Sequence, residues 1–139
     1  MTTSLRTLRG GILAAAFLAA APLVVCAADL KLTGDQEVPP VSASGSGTGS
    51  INVATDGAVS GSVTTSGVAG TMAHIHMAPA GKNGPVIVPL TKSGDSTWSV
   101  PAGAKLTAEQ LKSYQSGDLY VNVHTEANKG GEVRAQLKP

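Results

Sequence analysis

From Asp29 to Pro139 turn-forming residues interrupt the chain at short intervals, and the segments between them are of strand length and alternate apolar with polar. Alternation with period two sends successive side chains to opposite faces, so such a chain buries itself by stacking short strands and not by packing long helices. The constraint is tightest near the end. Leu119, Val121 and Val123 alternate with Tyr120, Asn122 and His124, while Val133, Ala135 and Leu137 alternate with Glu132, Arg134 and Gln136. Paired antiparallel across Glu126–Gly130, the two segments set Asn122 opposite Arg134 and His124 opposite Glu132 on a common polar face.

The rest of the region repeats the pattern. Strands are expected at Asp29–Leu32, Ser50–Ala54, Ala58–Thr65, Met72–Met77, Pro85–Leu90, Thr97–Val100, Asp118–Thr125 and Gly131–Leu137. Thr55-Asp56-Gly57 is a hairpin signal, with Val59 and Val63 spaced for one face of the returning strand. The adjacent prolines make Gln36–Pro40 irregular, and Ser42–Ser50, nearly all Ser, Gly and Ala, reads as a flexible lead-in. Leu106–Tyr114 is the one helical stretch, with Thr107 as its cap and Gly117 just past its end. Trp98 is expected in the core, and Tyr114 and Tyr120 as packing residues with wet hydroxyls. The fold class is all-β: an antiparallel Greek-key β-sandwich or barrel with one short helix.

Residues 1–28 read differently. Arg6 and Arg9, the apolar run Gly11–Val25 and the small residues around Cys26-Ala27-Ala28 are the three parts of a secretory signal peptide, leaving 29–139 as one domain. The location expected is periplasmic or secreted. Leu23-Val24-Val25-Cys26 also approaches the pattern in which the Cys is lipidated and anchors the chain, but the bulky Val25 fits that poorly. Cys26 is the only cysteine, so its departure with the leader removes disulfides, thiolate ligands and a Cys nucleophile together. After the leader, 8 Lys and Arg face 9 Asp and Glu. That balance gives no electrostatic reason for a nucleic-acid partner or, with the leader gone, for a membrane.

The three histidines carry most of the chemistry. His74 and His76 are one residue apart, which on a strand puts both imidazoles on one face about 7 Å apart. His124 stands on the polar face of another strand with Asn122. If the two strands are neighbours, the three form a nitrogen site for Cu or Zn with an open position, Glu132 accepting from the second ring nitrogen of His124 and Asn122 beside it. The bland alternative is that these histidines satisfy backbone groups and organise the sheet. Other chemistries fare worse. No Ser stands in a nucleophile elbow, and Glu37, Glu109, Glu126 and Glu132 are scattered along the chain. Gly81-Lys82-Asn83-Gly84-Pro85 follows a strand without opening a helix, so it reads as a turn and not a phosphate loop.

Glu37-Val38-Pro39-Pro40-Val41, Ala73-His74-Ile75-His76 with Ala80–Val88, and Leu119–Thr125 with Gly131–Leu137 resemble, in order, the blocks of the CHRD domain. That module was first described as a repeat in chordin and also occurs as single-domain secreted bacterial proteins. The resemblance spans residues 29–139 and implies a β-sandwich-type extracytoplasmic domain. It carries no reaction over, and growth-factor binding belongs to a multidomain animal protein whose cysteine-rich modules are missing here. The family's usual His-x-His-x-Gly is not matched after His76, where Met77 leads into Ala78-Pro79-Ala80-Gly81, so the loop there is expected to be longer by a residue or two. Three functions follow: a binding protein for a metal or an unknown protein partner, with Cu or Zn held by His74, His76 and His124; a purely structural or adhesive module; and a copper-dependent oxidoreductase of the dismutase-like type. The last needs an open coordination position, and the further histidines of dismutase sites are missing.

Overall fold

The computed structural model describes residues 28–139. The leader expected over Met1–Ala28, Cys26 included, lies outside them apart from Ala28. Alternation does what the pattern requires: the strands pair antiparallel and assemble into two sheets. One sheet has the order β1 (Leu30–Leu32), β2 (Ser46–Val53), β3 (Val59–Ser66), β7 (Thr97–Ser99), β6 (Thr91–Lys92). The other runs β5 (Val86–Pro89), β4 (Gly70–Met77), β8 (Leu119–Thr125), β9 (Val133–Gln136). The chain passes between sheets after β3, β5 and β7, so β3 lies beside β7 and β4 beside β8, the skipped neighbours of a Greek key. At one edge Thr33 and Arg134 exchange backbone hydrogen bonds of 3.1 and 3.0 Å, which ties the end of β1 to β9 and half closes the sandwich.

Between the sheets lie Leu32, Val63, Ile75, Leu119, Val121, Val123 and Val133, all essentially without solvent contact, with Trp98 among them. Each such aliphatic side chain contributes roughly 1.5–3 kcal/mol relative to exposure, and packing of this kind joins the sheets together with the Thr33–Arg134 bridge. The hairpin expected at Thr55–Gly57 is present: Gly57 has φ +88° and its N–H donates to the Ala54 carbonyl at 2.9 Å. The single helix is α1 (Ala108–Gln115). Thr107 caps it reciprocally, its hydroxyl accepting from the Gln110 N–H while the Gln110 side chain accepts from the Thr107 N–H.

Two expectations are corrected. Ser46–Ser50 is not a flexible lead-in but the first half of β2, paired in register with Ser62–Ser66. Its glycines serve close approach: a Cβ on Gly49 would meet the Ser62 carbonyl oxygen and lie 2.7 Å from Val63 Cα. The second is the wet hydroxyl expected on Tyr120, because the polar face of β8 is covered. All seven residues of that strand are buried, because the chain on either side of Glu37, the loop between β4 and β5, and the β8–β9 connection fold over the face that carries Tyr120, Asn122 and His124.

Candidate metal centre

β4 and β8 are hydrogen-bonded neighbours, and their register pairs Met72 with His124, His74 with Asn122 and His76 with Tyr120. Opposed residues share a face, so the covered side of this sheet carries all three histidines. Ala73 and Ile75, on the other side of β4, are buried in the core and hold the strand in place. One ring nitrogen from each of His74, His76 and His124 lies within 4.8 Å of the others. The pair His74 Nδ1 and His124 Nε2 stands at 3.0 Å.

Backbone carbonyls set the tautomers. His76 Nδ1 lies 3.0 Å from the Gly84 carbonyl oxygen, and His124 Nδ1 lies 2.8 Å from that of Lys129. A carbonyl only accepts, so in both rings Nδ1 carries the proton and Nε2 presents a lone pair. The His124 lone pair accepts from His74 Nδ1–H. The His76 Nε2 is buried with no hydrogen-bond partner. Burial, and then the neighbouring rings, hold His74 neutral down to about 4, and burial likewise lowers His76. Of the converging nitrogens His76 Nε2 is bare, and His124 Nε2 is met only by the His74 N–H that a metal ion would displace, so the three rings can hold a transition-metal ion, with the carbonyls in the orienting part that metal-bound histidines require.

Glu132, expected to accept from His124, does not. Its carboxylate accepts from Asn128 Nδ2 at 3.2 Å, and the Lys129 carbonyl takes its place beside His124. The connection causes the switch: Gly131, at φ +128°, turns the chain just before Glu132, and the loop delivers a main-chain oxygen to the ring. Asn122 is where the register argument put it, opposite Arg134, and is buried next to Glu37 and His76.

Three residues of the site were not singled out from sequence. Tyr120 is no wet packing residue: its ring stacks on His76 at 4.7 Å and 1°, and its hydroxyl accepts from the Gly84 N–H. Arg134 lies over the opposite face of the tyrosine at 3.4 Å, its guanidinium donating to the Lys82 carbonyl at 2.8 Å and to Asn83 Oδ1 at 3.2 Å. An Arg–Tyr–His stack therefore fixes the His76 plane and pins the loop that supplies the Gly84 carbonyl. Glu37 is buried beside Asn122 and Arg134, and burial pushes its carboxyl up to about 7 against the opposing pull of both neighbours. A cavity of about 380 Å³ adjoins Glu37, Arg134, Val38 and Ala80, and no histidine lines it. The alternation of β8 foretold a polar face but held no sign that loops would bury it.

Fold and site together define an antiparallel two-sheet domain bearing an imidazole cluster on a covered outer face. The family model of the CHRD domain matches residues 29–137, and the chain belongs to that family. No curated protein and no solved structure matches it.

Proposed function

We propose that this protein is an exported binding module that holds one transition-metal ion, copper or zinc, on His74, His76 and His124. The leader pattern of residues 1–28 supports export. The observation that carries metal binding is the unpartnered, buried Nε2 of His76 within a set of three imidazoles whose nitrogens approach within 4.8 Å. A buried polar atom without a partner costs about 1–3 kcal/mol, and a metal ion at that lone pair removes the cost. Nitrogen ligands bind at about 2.0–2.1 Å, so small side-chain adjustments bring all three onto one ion. His74 is only half-buried, which leaves solvent a route to a fourth coordination position.

Titration with Zn(II) and Cu(II), followed by calorimetry and metal analysis, tests the reading. One ion per chain is expected for the wild type, and neither His74→Ala nor His124→Ala retains it stoichiometrically. No binding at micromolar metal would overturn the proposal and leave imidazoles that serve the loops through hydrogen bonds alone.

A further inference from the structure

Resting on that reading of the cluster, we propose that Met72 supplies a thioether as fourth ligand and makes the site selective for copper(I). Met72 precedes His74 by two residues on β4 and lies directly opposite His124 on β8, so its side chain belongs to the face of the three imidazoles. Opposed residues have Cβ atoms about 4.5–5.5 Å apart, within reach of a side chain with three rotatable bonds. A bulge sets this placement. Gly70 pairs with Thr125 and Met72 with His124, leaving Thr71 as the extra residue, its hydroxyl donating to the His124 carbonyl at 3.3 Å. The bulge puts Gly70 against Trp98 and Val123 on the core side, while the register places Met72 on the face that carries the histidines.

Packing does not account for a methionine there. Met72 is 52% exposed, whereas Met77, the other methionine in the described residues, packs against the core. The donor set then comprises three neutral nitrogens and one neutral sulfur. A soft thioether favours copper(I) over zinc, and a shell without anionic ligands accommodates a monovalent ion better than a divalent one.

The test uses protein produced from the full chain as wild type, Met72→Leu and Met77→Leu. Each is titrated without oxygen against copper(I) buffered by a chromogenic chelator, and separately with Zn(II). Met72→Leu is expected to weaken copper(I) binding by roughly tenfold or more and to leave Zn(II) binding within about twofold, while Met77→Leu changes neither. X-ray absorption of the copper(I) form should show a sulfur neighbour that only Met72→Leu loses, Cys26 being common to all three proteins. Equal copper(I) affinity in Met72→Leu and wild type, or a parallel loss of both metals, overturns the thioether assignment while the histidine site stands. Failure of the wild type to bind either metal overturns both.

Discussion

Glu37 and His74 are both shifted by burial, and their effects on stability run in opposite directions. The Glu37 carboxyl titrates at about 7 in the fold against 4.5 when free. Between those values the folded chain keeps a proton that the unfolded chain has released, so its contribution to stability is full below pH 4.5 and is lost as pH rises through 7. His74 falls from 6.5 to about 4. Here the unfolded chain takes the proton first, so the contribution is full above pH 6.5 and is lost as pH falls through 4. In the window where both act, the slopes oppose each other. Glu37→Gln keeps the shape of the protonated acid and removes one slope. Its melting temperature, compared with wild type by calorimetry on metal-free protein, is expected to gain several degrees between about pH 5 and pH 8. A difference that stays constant across that range would show that the ionised carboxylate is compensated by Arg134, contrary to the direction of its shift.

Strands and helix differ in how openly the sequence announces them. The capping box of α1 is local, and Thr107→Ala is expected to cost about 1 kcal/mol in denaturant titration while leaving metal stoichiometry unchanged, since the helix contributes no residue to the histidine cluster. The β8–β9 hairpin was equally legible, because a period of two fixes both face and register, and Asn122 does oppose Arg134. β2 was half missed. Composition alone cannot separate a Gly-Ser linker from a Gly-Ser strand, and what decides is the close approach of β3, a contact made far along the chain. Gly49→Ala tests that account: the added Cβ meets Ser62 and Val63 backbone, and a loss of roughly 1–3 kcal/mol is expected. A neutral result would mean that the glycine there reflects composition and not packing. The site shows the same division. His-x-His on one face was readable from spacing, whereas the pairing of β4 with β8 joins residues fifty apart, His74 with His124, and no local pattern encodes it. The carbonyl partners of His76 and His124 were out of reach for a further reason, that a backbone oxygen has no sequence signature.

At the scale of the molecule, the cluster is where three separately connected pieces meet: β4, the β8–β9 hairpin, and the loop between β4 and β5 that Arg134 fastens down. An ion bound there bridges pieces that come apart on unfolding. Binding to the native state alone adds RT ln(1 + [L]/Kd), about 2.7 kcal/mol at a free metal concentration a hundred times Kd. For a domain of this size that is a rise in melting temperature of roughly 10 °C. The rise should be reversed by a chelator and absent from His124→Ala, because that substitution removes the only ligand contributed by β8. The control is a stabilisation that survives it: metal that still raised the melting temperature of His124→Ala by the same amount would be bound elsewhere, and the bridge between β4 and the hairpin would not be the source of the effect. His76→Ala separates the two roles of the cluster in the same experiment. It removes a ring stacked on Tyr120 and a bond to Gly84, so the metal-free protein itself should melt lower, in addition to losing the response to metal. His74 has neither a tyrosine partner nor a carbonyl among its bonds, only the contact with His124 Nε2. Its replacement should therefore cost the metal response and, by leaving the buried His124 Nε2 without its donor, lower the metal-free melting temperature by less than His76→Ala does.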